Sequence, residues 1–258
     1  MNGLSPDNKE SLEELPLMGH LLELRDRLLK AIILVLLCFV VIFPFQDPIL
    51  LYLSYPLRLH LDVNASMIHT GVVAPLMVPF KMALVFSFIV GLPFIVRQAW
   101  AFIAPGLYKK EKTIVLPLIV SSILLFYAGI AFSFYVVFPL AFEFLSTMGP
   151  KEIPMMTDSS AYLTFVFQMF FAFGLMFEIP IATFILIWIG VTTPASLAKK
   201  RAYVVIGCFV LGMLLTPPDM ISQTLLALPM WLLFEVGIIF GRFVKPRTED
   251  KNAEADVA

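Results

Sequence analysis

The chain has 258 residues, of which 60% are apolar and 14% charged, with a formal net charge of −1. A water-soluble domain carries roughly 45–50% apolar and about 25% charged residues. The apolar excess rules out disorder, a collagen-like rod and a secreted disulfide scaffold, and it points to an all-α polytopic membrane protein. Cys38 and Cys208 both lie inside apolar runs and read as small buried hydrophobes. The three histidines, His20, His60 and His69, are scattered. No metal-ligand spacing is present, and no cofactor or nucleic-acid partner is expected.

In chain order, the first 26 residues are mixed polar and acidic, and no small-residue cleavage site follows the first apolar run, so that run is expected to stay as an anchor. Leading into it, Leu17, Leu21, Leu24 and Leu28 fall at helical spacing. His20, Glu23, Arg27 and Lys30 form the opposing polar stripe. The pattern predicts an amphipathic helix running into the membrane. Glu23 has two readings. One is an i,i+4 pair with Arg27, worth ~0.2–0.5 kcal/mol. The other is a carboxylate presented to a cationic ligand.

Ionisable residues are costly at the bilayer centre, so gaps between charges mark the spans. They predict six: 28–46, about 79–96, within 114–138, about 163–189 as one helix, 203–215, and 225–240. The last two runs are shorter than the ~20 residues of a full span. The flanking charges still require a hairpin, which predicts short fifth and sixth helices. The long connections are 46–77, with a short surface helix at 47–52, and 140–162. The turn 216–219 is tight, and Asp219 is placed to cap the sixth helix. Prolines in or beside the spans, Pro79, Pro93, Pro117, Pro139, Pro180 and Pro229, each predict a kink or a freed carbonyl.

Six spans put both ends of the chain on one side. That side carries fifteen of the eighteen basic residues, while the opposite loops hold only Arg58 and Lys151, with Lys81 near the outer end of the second span. The excess predicts that both termini are cytoplasmic. The expected organisation is a cytoplasmic amphipathic segment (1–27), a six-helix transmembrane domain (28–243) and a disordered charged tail (244–258).

No nucleotide-binding glycine loop, no H-E-x-x-H and no G-x-S-x-G occurs, so an enzyme is not expected. The candidates are acids. Glu111 is a lone carboxylate among Lys109, Lys110 and Lys112, after the aromatic cluster Trp100, Phe102 and Tyr108. Its plainer reading is a solvated loop charge. Glu178 stands mid-span before Pro180, and an intramembrane carboxylate is a functional candidate by default. Its structural alternative is a protonated acid bonded to carbonyls that Pro180 frees. Glu235, within the sixth run, is open between the two roles. From these residues alone, a proton-coupled small-solute transporter built around Glu178 is one function. A scaffold whose acids pair with nearby cations is another.

The runs HLLELRDRLL, RQAWAFIAPGLYKKEK, FYVVFPLAF, FGLMFEIP and GMLLTPPDMISQTLLALPM, in this order, resemble the TatC family, the receptor subunits of the twin-arginine protein translocase. The resemblance covers about 17–243. It implies a concave, glove-like bundle of six helices in the cytoplasmic (inner) membrane. It also implies a receptor for signal peptides bearing paired arginines, and export of folded proteins on the proton motive force. Glu23 and Glu111 match the acidic pair implicated in reading the two arginines. Phe102 matches an aromatic beside that site, and Arg25 an orienting arginine. Glu178 matches the intramembrane acid. Met213, Thr216 and Gln223 match the region where single-span TatA- and TatB-type subunits dock.

Overall fold

The computed structural model describes residues 7–59, 67–103, 112–147, 156–215 and 220–243. The helices are α1 (Asp7–Ile42), α2 (Gln46–Leu53), α3 (Tyr55–Arg58), α4 (Ala74–Ile103), α5 (Lys112–Phe132), α6 (Phe138–Thr147), α7 (Ser159–Met176), α8 (Ile179–Trp188), α9 (Pro194–Lys199), α10 (Arg201–Leu215) and α11 (Met220–Gly241). Two residues each of β1 (Met67–Ile68) and β2 (Thr157–Asp158) pair in parallel, Met67 with Thr157 and Ile68 with Asp158. Five helical stretches are long and apolar enough to cross a membrane, and α10 is a shorter apolar helix. The charged tail and Asp219 lie outside the described residues.

Contacts divide the chain into two compact units. The first joins Met1–Asp47 to Pro79–Val120. In it α1 and α4 run antiparallel. Arg27 meets Gln98, Gly91 leaves room for Val35, and the rings of Phe39 and Phe80 cross edge to face at 5.2 Å. Ascending positions on α1 meet descending ones on α4. Leu28, Ile33, Leu36, Leu37, Val40 and Val41 of α1 are exposed apolar residues, as suits a helix that faces lipid.

The second unit joins Pro48–Val78 to Ser121–Ala258. Its core is aromatic: Phe138 is fully buried and touches the rings of Phe134, Phe142, Phe165 and Phe170. Small residues set the helix spacing here. A side chain at Gly129 would strike the Phe173 backbone, and one at Gly174 would strike the Phe126 ring, so α5 and α7 approach closely in antiparallel register. Gly237 and Gly241 on α11 do the same for Thr183 and Ile187 on α8. The constant offset between those pairs makes α8 and α11 parallel. At the end of α2, the Tyr162 hydroxyl donates to the Leu53 carbonyl at 2.6 Å.

Three expectations need correction. The predicted third span ends at 138, but helix continues through a π-helical turn (Ser133–Val137) into α6. Pro139 cannot donate to the carbonyl four residues back, and a wider turn accommodates the gap. The stretch 140–147 is therefore helix and not connecting loop. The fourth span is two helices, because Pro180 interrupts the hydrogen-bond ladder: α7 ends at Met176 and α8 begins at Ile179. The last helix, α11, has 22 residues, more than its charge-free run suggested, and at 1.5 Å per residue it spans about 33 Å. Only α10, with 15 residues, stays short, at about 22 Å.

One further expectation holds locally. The helix predicted at 47–52 is α2. The helix α8 ends on Gly190, the one positive-φ residue described (φ 81°). Its N–H donates to Ile187 and that of Val191 to Leu186, both at 3.0 Å, closing the last carbonyls of the helix.

Candidate functional site

In the first unit, Glu23 and Arg27 sit one turn apart on α1. Arg27 donates from Nε at 3.0 Å and from Nη2 at 2.5 Å, both to Oε1 of Glu23. Its Nη1 donates to Oε1 of Gln98 on α4 at 3.3 Å. The i,i+4 pair foreseen from spacing therefore forms, and it is clamped across to a second helix. The side chains of Arg27 and Glu23 keep 24% and 36% of their exposure, so neither is fully covered. Arg25 points elsewhere. It is well exposed and pairs with its neighbour Asp26 at 2.8 Å.

Phe102 is half-buried near the end of α4. It lies one turn beyond Gln98, and Glu23 lies one turn before Arg27. Extending the antiparallel register by that turn sets Glu23 level with Phe102. An acid and an aromatic are thus brought to the same end of one helix pair. Glu111, the second predicted acid, lies outside the described residues, as does Thr216.

Glu178 belongs to the second unit and occupies the break between α7 and α8. Its Oε2 accepts from the Ser122 hydroxyl at 2.8 Å. The close α5–α7 register explains this bond: Ser122 lies one turn before Phe126, and Glu178 one turn after Gly174. The acid is thus held by a serine on another helix and not by a carbonyl freed by Pro180. Nothing had singled out Ser122, although a Ser121-Ser122 pair inside an otherwise apolar run was the available signal.

Glu235 is also explained. Arg201 holds it in a two-pronged ion pair, Nε to Oε1 at 2.6 Å and Nη2 to Oε2 at 2.7 Å. This is the geometry that suits a guanidinium to a carboxylate, and it ties the start of α10 to α11. At the other end of the hairpin, the Gln223 amide donates to the Phe209 carbonyl at 2.8 Å, and Gly212 packs against Gln223. Between these ties lies an apolar cavity of about 250 Å³, lined by Val205, Cys208, Phe209, Ala227, Leu228 and Trp231 among others. Met213 is half exposed near the end of α10.

The family model for Sec-independent protein translocase protein (TatC) matches residues 19–229. The chain belongs to the TatC family. It is 52% identical over 240 residues to the Sec-independent protein translocase protein TatC of Azotobacter chroococcum mcd 1, covering 93% of this chain and 94% of that one. With the TatC of Escherichia coli (strain K12) it shares 51% identity over 228 residues, 88% of each chain. Among solved structures it matches a crystal structure of the twin-arginine translocase receptor TatC with a TM-score of 0.77 and 36% identity, covering 87% of this chain and 98% of that one. This TatC-family chain is a translocase component and a multi-pass membrane protein, not an enzyme. The residues alone had left a solute transporter open, and membership in the translocase family decides against it.

Proposed function

We propose that this chain is the signal-peptide receptor of a twin-arginine translocase, and that Glu23, Phe102 and Glu111 form the surface that reads the paired arginines. What supports the reading is the antiparallel register of α1 and α4, tied at Arg27 and Gln98, which one turn further on puts the half-exposed Glu23 carboxylate at the level of the half-buried Phe102. A carboxylate takes a guanidinium fork in two parallel hydrogen bonds, a geometry an ammonium does not reproduce. The aromatic offers the apolar residues flanking such a pair a place to pack. Arg25, engaged with Asp26, orients the surface and adds no ligand contact.

Both termini face the cytoplasm in this reading, which puts Glu23 where a precursor arrives before export. The proton motive force drives the movement of folded cargo. Single-span TatA- and TatB-type subunits dock at the α10–α11 hairpin around Met213, Thr216 and Gln223, making a hetero-oligomer with several copies of each chain. The Gln223 amide already gives one N–H to the Phe209 carbonyl, so docking there relies on packing, on the second amide N–H and on the amide oxygen. Glu178, held by Ser122, is the intramembrane acid of this receptor. The segments 1–27, 28–243 and 244–258 serve as cytoplasmic entry, membrane domain and tail.

The test is export of a folded reporter carrying a paired-arginine signal peptide. Replacing Glu23 and Glu111 together by Ala should abolish export and peptide crosslinking while the protein still accumulates in the membrane. Intact export by that double variant sinks the site assignment.

A further inference from the structure

The carboxylate that this reading offers to an incoming arginine already holds one. Arg27 gives Glu23 two N–H donors, at 3.0 and 2.5 Å, the number an incoming guanidinium would supply. It is also anchored independently of Glu23 through Gln98 at 3.3 Å. Release from Glu23 therefore leaves Arg27 with a partner on α4 and keeps it within reach of the acid.

We propose that Arg27 is an internal stand-in for the signal arginine: it occupies Glu23 in the resting receptor, must be displaced by the peptide, and waits on Gln98 while the peptide is bound. The inference rests on the receptor reading above and sharpens it. A residue that closes a site in the unliganded state lowers the apparent affinity for every competing ligand by the same factor, because only the open fraction binds. Paired lysines and paired arginines are thus taxed alike. The ligand with the weaker intrinsic fit falls below useful affinity first. Arg27 would then keep the receptor from retaining stray basic segments, while Glu23 itself supplies the preference for arginine.

A half-exposed ion pair of this kind shifts an equilibrium by about two- to fivefold, which sets the expected size of the effect. The probes are a fluorescein-labelled peptide with an Arg-Arg pair before an apolar stretch, and its Lys-Lys counterpart. Each is titrated against the full-length protein in lipid nanodiscs. Arg27→Gln should bind both peptides about two- to fivefold more tightly with their ratio unchanged. Arg27→Lys keeps the charge but loses the fork, so it should show a smaller gain of the same kind. Glu23→Gln should weaken the Arg-Arg peptide, and adding Arg27→Gln to it should change nothing more.

Weaker or unchanged binding in Arg27→Gln, with Glu23→Gln still impaired, makes Arg27 a strut, overturning this inference while the receptor reading stands. A gain in Arg27→Gln that is absent in Arg27→Lys assigns the effect to net charge and also overturns it. If Glu23→Gln binds as well as the unaltered chain, the receptor site itself is misplaced and the stand-in falls with it.

Discussion

Arg201 and Glu235 show what a charged residue in a membrane helix needs. The Glu235 side chain keeps only 19% of its exposure, against 44% for Arg201, and the two-pronged geometry satisfies both carboxylate oxygens. Exposed ion pairs couple by ~0.2–1 kcal/mol. With one partner mostly shielded, a double-mutant cycle of Arg201→Gln and Glu235→Gln, read by thermal unfolding in detergent, should show a favourable coupling in place of additive losses. Asp158 is a second isolated case, and it lies outside the spans. Backbone N–H groups of Thr70 and Ala161 donate to its two oxygens and hold its carboxyl below the usual carboxylate range, Thr70 contributing most. A lowered folded-state pKa gives stability that is complete above the unfolded value and lost as pH falls through the folded one. The difference in melting temperature between the unaltered chain and Asp158→Ala should therefore be constant near neutral pH and shrink below about pH 4. Spacing made the Glu23–Arg27 pair legible, because both residues lie on one helix. The partners of Glu178 and Glu235 were not, since Ser122 and Arg201 lie 56 and 34 residues away and meet their acids only through tertiary packing.

At the scale of the helix, two glycines place an acid. Gly129 and Gly174 let α5 and α7 close together, and that register delivers Ser122 to Glu178. A leucine at 174 meets the Phe126 ring, and overpacking of this kind costs about 1–3 kcal/mol. Gly174→Leu should lower the thermal stability by that amount. Ser122→Ala, which removes one interhelical hydrogen bond and no packing, should cost nearer 0.6 kcal/mol. Equal effects from the two would separate the glycine packing from the Glu178 contact. Charge-free gaps located the membrane helices, because desolvating an ion is the dominant penalty there. They did not locate the ends. Helix α6 extends past the predicted third span, and the fourth breaks after Met176. Both departures sit beside prolines, at 139 and 180. A proline in a span announces a disturbance, while the surrounding packing decides between a π-helical turn that preserves the helix and a break that ends it.

For the molecule as a whole, the division of charge carries the most information. Its near-zero net charge conceals acids held by named partners, Ser122 on Glu178, Arg201 on Glu235 and Arg27 on the half-exposed Glu23. The fold class was readable because apolar runs of this length have no alternative to helix in lipid. The proposed recognition surface was suggested only by the motif order, since Glu23 and Phe102 are 79 residues apart in the chain and come level only through the antiparallel register of α1 and α4. The central claim is that this register builds a receptor for paired arginines. A photoreactive benzoylphenylalanine in place of Phe102, in membranes supplied with a precursor carrying a paired-arginine signal peptide, tests it most directly. A crosslink to the signal peptide should form and should disappear both when the arginines become lysines and when Glu23 becomes Gln. A crosslink of equal strength in all three cases, or none to the unaltered precursor, would contradict it.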